Sequence, residues 1–135
     1  MKRKLAFVLV VYQDLFLLGY NPAKKRYEYF GGHVEDDESY LDCAIRELYE
    51  ESSGTILAKH LTILSSEPGI RVYLHRLKTK PDFDKFNENR KEYLKMGLKH
   101  YAEMSELVLL SISDLIKMKD CIQQFTLDTI INSLI

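Results

Sequence analysis

Apolar residues fall into short runs that predict β-strands near the start of the chain. Leu5 to Tyr12 is rich in Val and Leu, as a strand buried on both faces would be. Gln13-Asp14 predicts a tight turn into a second run, Leu15 to Tyr20, so the two runs predict a β-hairpin. Further strands are predicted at Tyr27 to Phe30, Leu61 to Ser65, Ile70 to Leu77 and Leu107 to Ile112.

A helical period follows the first strands. Asp37 to Ser39 offers N-cap residues, and the helix is expected to run to about Glu51. Four apolar residues within it stand at i, i+3, i+4 and i+7 and predict a face that packs on a sheet: Leu41, Ala44, Ile45 and Leu48.

The second half of the chain has a less regular pattern. Asp82 to Lys99 is polar with scattered aromatic residues, so a helix and a long mobile insertion both stay open. Ser113-Asp114 predicts the cap of a short helix beginning near Leu115. A closing helix is predicted over Ile122 to Ile135, with core contacts from Phe125, Ile130 and Leu134. Strands that alternate with helices predict one α/β domain over residues 1–135.

Composition narrows the class of protein. With 46% apolar and 29% charged residues, 135 residues suit one globular domain with its own core. The net charge of −1 excludes a global field that would recruit nucleic acid. Cys43 and Cys121 lie far apart without metal-ligand spacing, which predicts two buried, reduced thiols. The apolar run Leu5 to Tyr12 is too short for a membrane span, so we expect a cytoplasmic protein without a membrane partner.

Candidate chemistry is concentrated between Gly31 and Gly54. Glu47, Glu50 and Glu51 stand at i, i+3 and i+4, so the three carboxylates share one face of the predicted helix. Carboxylates this close repel each other unless a cation lies among them. Mg²⁺ prefers such oxygen ligands and often binds together with substrate phosphates, so the pattern predicts a metal-dependent phosphate site.

The same segment resembles the Nudix box, G-x5-E-x7-R-E-U-x-E-E-x-G-U, where U is aliphatic. Seven positions match at the expected spacing: Gly32, Glu38, Arg46, Glu47, Leu48, Glu50 and Glu51. The end departs from the motif, because Ser53 stands where the last glycine is expected and Gly54 follows one position later. We interpret Ser52-Ser53 as a one-residue insertion after the helix.

The resemblance implies a fold and a reaction. Nudix proteins are α/β/α sandwiches with a mixed β-sheet, and dimers are common among them. They hydrolyse a phosphoanhydride bond in substrates that carry a nucleoside diphosphate linked to another group. Mg²⁺, or Mn²⁺ as a substitute, stabilises the charge on the phosphate oxygens. A small-molecule nucleotide substrate is therefore expected.

The resemblance also implies roles for single residues. Glu47, Glu50 and Glu51 would be metal ligands together with the backbone carbonyl of Gly31, and Glu47 or Glu50 would lie nearest the metal-bound water. Three residues would support them: Gly32 lets the backbone approach the metal, Glu38 braces the loop on the helix, and Arg46 orients the glutamates.

The general base in this family often comes from a loop just before a late strand. Glu103 and Glu106 are both candidates, and Glu106 is preferred because it lies close to the strand predicted to end at Ile112. One of the box glutamates is a further alternative.

Several residues outside the box bear on the substrate. Tyr73 lies near the position where dinucleoside polyphosphate hydrolases keep a tyrosine, and Tyr29 could stack on a base, although either could equally be a core aromatic residue. The sequence markers of ADP-ribose and coenzyme A hydrolases are absent. Five basic residues could bind extra phosphates or an RNA backbone: Lys24, Lys25, Arg26, Arg71 and Arg76.

Three hypotheses for the function follow. The first is hydrolysis of a small nucleotide, such as a dinucleoside polyphosphate, a nucleoside triphosphate or a nucleotide sugar. The second is the same chemistry on capped RNA or inositol pyrophosphate, and the RNA cap is not favoured. The third is a nucleotide-binding module without turnover, against which the intact glutamate block weighs.

Overall fold

A computed structural model describes residues 3–134. Within them, seven strands form one sheet: β1 Leu5–Tyr12, β2 Leu15–Asn21, β3 Arg26–Glu28, β4 Phe30–His33, β5 Thr62–Glu67, β6 Ile70–Leu77 and β7 Glu106–Leu110. The described helices are α1 Tyr40–Glu51, α2 Phe83–Lys95, α3 Ile112–Lys117 and α4 Gln124–Ser133. No helix in this part of the chain is long and apolar enough to cross a membrane.

Strand β1 lies at the centre of the sheet. It pairs in parallel with β6 and antiparallel with β2 and β4, while β7 joins the other side of β2. The sheet is therefore mixed, and the predicted hairpin of β1 and β2 is confirmed.

Alternate residues of β1 build two separate cores. Ala6, Val8 and Val10 are fully buried in a cluster that includes Leu48 of α1 and Phe86 of α2. The residues between them, Leu9 and Val11, enter a second cluster, which includes Leu115 of α3 and Ile130 of α4. Apolar side chains on both faces explain why this run reads as continuous rather than alternating. The predicted α/β/α sandwich is confirmed.

The strand predicted over Tyr27 to Phe30 is two strands with different partners. Glu28 of β3 pairs with Gly19 of β2, whereas Phe30 of β4 pairs with Val8 of β1. Between them, the backbone N–H of Tyr29 donates to the side chain of Thr126 at 3.1 Å instead of to a strand. The prediction of one strand was wrong because the change of partner depends on contacts distant in sequence.

The C-terminal helices differ from the predictions in their starts and contacts. Helix α3 begins at Ile112, because Ser111 rather than Ser113 is the N-cap and forms a capping box with Asp114. In α4, Ile130 is buried as expected, but Phe125 and Leu134 are 38% and 55% exposed. Ile135, the predicted end of this helix, lies outside the described residues.

The two cysteines also differ from each other. Both are free thiols, and Cys43 is buried on α1, but Cys121 is exposed. The prediction that both are buried was wrong for Cys121, which lies in a short 3₁₀ turn, Lys119–Cys121, at the surface.

The exit of α1 shows what Ser53 does in place of glycine. The N–H of Ser53 donates to the carbonyl of Glu50 at 3.0 Å, and that of Gly54 donates to Tyr49 at 2.7 Å, which is the pattern of a Schellman turn. Ser53 takes the left-handed position with φ of 50°, so the turn is regular and the serine stands in it directly, without an extra looped-out residue.

Substitutions of Ser53 are expected to separate backbone strain from hydrogen bonding. Its buried hydroxyl donates to the carbonyl of Tyr101 at 2.6 Å. Ser53→Ala loses this bond and keeps the strain, so we expect a loss of about 1–2 kcal/mol in the free energy of unfolding. Ser53→Gly loses the bond but relieves about 1 kcal/mol of left-handed strain, so it should be nearly neutral. Urea denaturation would measure both, and an Ala variant as stable as the Gly variant would contradict this account.

Candidate active site

Two glycines let the end of β4 lie close to both α1 and β1. A Cβ on Gly32 would meet the carboxylate of Glu47 at 2.6 Å, and a Cβ on Gly31 would collide with the ring and backbone of Phe7 and the carbonyl of Ala6. A side chain at Gly32 would therefore separate β4 from α1, and a side chain at Gly31 would separate β4 from β1. The close approach brings the β4 backbone beside the glutamates of α1.

Glu51 is the most deeply buried carboxylate of the site. It is 5% exposed, and its Oε1 accepts the backbone N–H of Gly31 at 2.6 Å. Burial raises its pKa well above the usual range, and the nearby carboxylate of Glu47 raises it further. The buried stripe of α1 runs through Ala44 and Leu48 to Glu51, whereas Leu41, predicted to be part of it, is 39% exposed.

Glu47 lies one turn away from Glu51 and faces the same space. Burial raises its pKa to about 7, the neighbouring Arg46 lowers it in part, and the carboxylates of Glu50 and Glu103 raise it again. Several negative groups thus share a poorly solvated region, where a cation would be strongly stabilised.

Arg46 is the hub of the ion pairs around α1. Its Nε and Nη2 donate to the two oxygens of Glu38 at 2.7 and 2.9 Å, a bidentate contact. Its Nη1 contacts the carboxylates of Glu47 and Glu50, each at 3.2 Å. The pKa of Glu38 is lowered mainly by this hydrogen bond. Glu38 therefore connects the loop before α1 to the helix.

A cleft of about 700 Å³ opens beside these groups. Its acidic wall contains Glu47, Glu51 and Glu103, while Phe7 and Tyr29 form part of an aromatic side. The other lining residues are Leu5, Asn21, Ala23, Lys24, Glu28, Gly31, Gly32, His33, Glu35, Arg46 and Gln123. Glu50 is held against Arg46 rather than lining the cleft.

The two candidate bases lie in different places. Glu103 lines the cleft, and its pKa is raised by partial burial and by the carboxylate of Glu50. Glu106 is the first residue of β7 and accepts the hydroxyl of Tyr27 at 2.7 Å, outside the lining of the cleft. That contact raises the pKa of Tyr27 to about 12. The structure thus brings Glu103, and not the preferred Glu106, to the box glutamates.

The two tyrosines expected near the substrate are both largely core residues. Tyr73 is 6% exposed and packs in the α1-facing cluster, away from the cleft. Tyr29 is 2% exposed, and its ring stacks on Phe7 at 5.0 Å with an angle of 6°. Since Phe7 is the more exposed of this pair and also lines the cleft, it is the ring available to a ligand.

Sequence patterns alone missed other residues of the cleft. Lys24, from the loop after β2, and Gln123, from the start of α4, are among them. The side-chain oxygen of Asn21 accepts the backbone N–H groups of Ala23 and Lys24 at 3.1 and 3.3 Å and so shapes that loop. In the sequence, Lys24 was recognisable as part of a basic cluster, whereas nothing in the sequence pattern around Gln123 indicated a binding residue.

Without a divalent cation, we expect Glu47 to lower stability as pH rises from about 4.5 to 7. Its folded pKa of about 7 exceeds the ordinary value of 4.5, so the folded state holds the extra proton in this window. The stability that comes from this proton is therefore fully present below pH 4.5, and it is lost as the pH rises past 7. Partial solvent access reduces it to roughly 2 kcal/mol.

Urea denaturation of the wild type and Glu47→Gln at pH 5 and pH 8, in a chelator, would measure this contribution. Burial lowers the pKa of His75, so this residue makes stability change with pH in the opposite direction. Because both proteins contain His75, its effect cancels when they are compared. An identical pH dependence in the two proteins would contradict the expectation.

Comparisons with known proteins agree with this architecture. A family model described as the NUDIX domain matches residues 2–120. No curated protein matches at a significant level. A MutT NUDIX hydrolase from Burkholderia pseudomallei superposes with a TM-score of 0.67 at 16% identity, over 98% of each chain.

Two further solved structures show the same fold. The Ap4A hydrolase of C. elegans has a TM-score of 0.62 at 17% identity, over 98% of this chain and 96% of its own. A bifunctional NMN adenylyltransferase/ADP ribose pyrophosphatase from Francisella tularensis, complexed with AMP and a Mn ion, has a TM-score of 0.62 at 19% identity. It covers 99% of this chain, which spans 41% of that protein. The match of the family model over most of the chain shows that the protein belongs to the Nudix family of pyrophosphohydrolases, as the motif within Gly31 to Gly54 predicted.

Proposed function

We propose that the protein hydrolyses a phosphoanhydride bond of a small nucleotide with the help of Mg²⁺ or Mn²⁺. The observation that carries the proposal is the pair of poorly solvated carboxylates, the half-buried Glu47 and the buried Glu51, on the wall of a cleft beside the backbone of Gly31. A buried anion is costly unless it is paired, and hard oxygen donors in this number suit Mg²⁺.

The donor set fits a divalent cation after a small rearrangement. Within residues 3–134, no three His, Cys, Asp or Glu side chains are arranged to hold a metal as they stand. The Nη1 of Arg46 contacts both Glu47 and Glu50 at 3.2 Å and so competes with a cation for these carboxylates. Once released from Arg46, they would hold the metal together with Glu51 and the carbonyl of Gly31.

Each residue then has a defined task. The bound metal would neutralise charge on the phosphate oxygens and activate a water molecule. Glu38 holds the side chain of Arg46 through a bidentate contact, and the N–H of Gly31 fixes the orientation of Glu51. We assign Glu103 as the group that accepts the proton of the attacking water, because it lies in the cleft with Glu47.

The cleft also supports a nucleotide as the substrate. Lys24 supplies a positive charge in the cleft, and Phe7 offers an aromatic face for a base. The cleft volume of about 700 Å³ suits a ligand of this size. Dinucleoside polyphosphates are the first candidates, since an Ap4A hydrolase is among the similar structures. ADP-ribose is tested beside them because another similar structure is an ADP ribose pyrophosphatase, although the sequence marker of ADP-ribose hydrolases is absent.

Capped RNA and inositol pyrophosphate have less support. Two of the basic residues that could have formed a polyphosphate surface are engaged elsewhere: Arg26 pairs with Glu28 at 3.0 Å, and Arg71 lies over the ring of Tyr40. The charged residues that line the cleft are mainly acidic, which disfavours a highly charged RNA backbone.

A substrate panel tests the proposal. The purified protein is incubated with Mg²⁺ and then Mn²⁺, and products are separated by chromatography. The panel contains diadenosine polyphosphates, ADP-ribose, standard and oxidised nucleoside triphosphates, capped RNA and inositol pyrophosphate. Metal-dependent cleavage that is absent from Glu47→Gln supports the proposal. Tight nucleotide binding without turnover of any member would instead favour a binding module.

A further inference from the structure

The residues around Glu103 are fixed by three backbone contacts. We call residues 101–105 the rim loop. The carbonyl of Tyr101 accepts the hydroxyl of Ser53 at 2.6 Å, and the carbonyl of Met104 accepts Nε of Arg90 at 2.9 Å. The N–H of Ser105 donates to the carbonyl of Tyr20 at 2.9 Å. Both ends of the rim loop are therefore attached to regular elements, and Glu103 lies between the attachments.

Helix α2, whose role the sequence left open, supplies one of these attachments. Arg90 lies on this helix, and Phe86 anchors the helix in the core at 1% exposure. The side-chain amide of Asn89 donates to the carbonyl of Ser53 at 2.9 Å, and the ring of Tyr93 stacks on Tyr101 at 4.5 Å. Helix α2 thus contacts the exit of α1 and the rim loop at once.

The side chain of Glu103 cannot secure its own position. It is exposed on the lining of the cleft and outside the hydrophobic core, whereas the adjacent Met104 is fully buried against Gly19. The position of the Glu103 carboxylate in the cleft therefore depends on the backbone on either side of Glu103. The carbonyl of Met104, immediately after Glu103, is the atom that Arg90 contacts.

We propose that Arg90 is a positioning residue, which sets the location of Glu103 by holding the carbonyl of Met104, and that α2 is the element that fixes the rim loop over the active site. This inference rests on the proposed function, because it requires Glu103 to act on the attacking water. A displacement of about 1 Å in a catalytic group costs about 10²-fold in rate, so one backbone contact at this place has a large effect.

The test is a double-mutant cycle on the full chain, with the nucleotide that the substrate panel identifies. Arg90→Ala is expected to lower kcat about 10- to 50-fold with KM changed less than twofold, because the cleft itself stays intact. Arg90→Lys, which can still donate to the carbonyl, should recover part of the loss. Lys91→Ala is the matched control, since Lys91 is exposed on the same helix and should leave kcat unchanged.

The cycle is completed with Glu103→Gln. If Arg90 acts through Glu103, Arg90→Ala causes no further loss in the Glu103→Gln background. An equal loss in both backgrounds would overturn the inference. So would a Glu103→Gln variant with unchanged kcat, while the proposed function would still stand if Glu47→Gln remained inactive.

A second variant tests the role of α2 independently, in case Arg90→Ala does not fold. Tyr93→Leu removes the stacking contact with Tyr101 from the same helix and leaves Arg90 in place. Its loss of kcat should also vanish in the Glu103→Gln background, and independent losses would again contradict the role of α2. Circular dichroism and urea denaturation establish that each variant is folded before its kinetics are compared.

Discussion

Glu47→Gln is expected to lower kcat by about 10³-fold, with the protein still folded. The substitution keeps the shape of the side chain and an oxygen acceptor for Arg46, but it removes the negative charge that lies in the cleft with Glu51. Loss of one group that stabilises charge in a transition state costs roughly 10²–10³-fold, and loss of a metal ligand adds to it. Steady-state kinetics over a range of Mg²⁺ concentrations would measure the effect.

The matched control for this prediction is Glu35→Gln. Glu35 lines the same cleft, but its side chain is 72% exposed and is not among the proposed ligands. Its substitution should change kcat less than threefold, by the usual size of a screened surface charge effect. Comparable losses in the two variants would mean that the overall charge of the cleft, rather than a ligand at Glu47, explains the activity.

Glu51→Gln is expected to stabilise the metal-free protein while it abolishes the response to Mg²⁺. Burial raises the pKa of Glu51 well above its usual range, so at pH 8 this carboxyl lowers the stability of the fold relative to the unfolded chain, in which it is freely ionised. The glutamine oxygen can still accept the N–H of Gly31. Removal of a poorly compensated buried charge should raise the free energy of unfolding by roughly 1–3 kcal/mol.

Urea denaturation at pH 8 with and without Mg²⁺ would measure both effects. The wild type should gain stability when Mg²⁺ binds, because a ligand of the folded state alone shifts the equilibrium. Glu28→Gln is a useful comparison, since Glu28 is also buried but pairs with Arg26, so its substitution should destabilise the protein. A Glu51→Gln variant less stable than the wild type would show that Glu51 is already compensated without a metal.

Features that depend on short distances along the sequence were the ones that could be predicted. The N-cap at Ser39 and the glutamates of α1 lie within one helix, so the sequence distance between them determines their geometry. The central strand β1 was equally clear, because a strand covered on both faces must be apolar throughout.

Contacts distant in sequence explain what the sequence could not decide. Glu103 and Glu106 are three residues apart, and only the attachments of the rim loop determine that Glu103 lines the cleft. The change of partner at Tyr29 depends on Thr126, which lies 97 residues away. The N-cap of the short helix α3 lies two residues earlier than expected, because Ser111 and Ser113 are equally good caps on composition alone.

The contrast between the two thiols gives the molecule an internal reporter of its own unfolding. Cys43 is buried beneath the β4 backbone, its thiol donates to the carbonyl of His33 at 3.4 Å, and burial raises its pKa to about 12. A thiol of this kind is rarely deprotonated at neutral pH and therefore reacts slowly, whereas the exposed Cys121 is accessible to alkylating reagents. Cys121 takes the first label, and Cys43 can take a second only when β4 separates from α1. The rate of the second labelling step therefore measures how often this junction, which positions the carboxylates, opens.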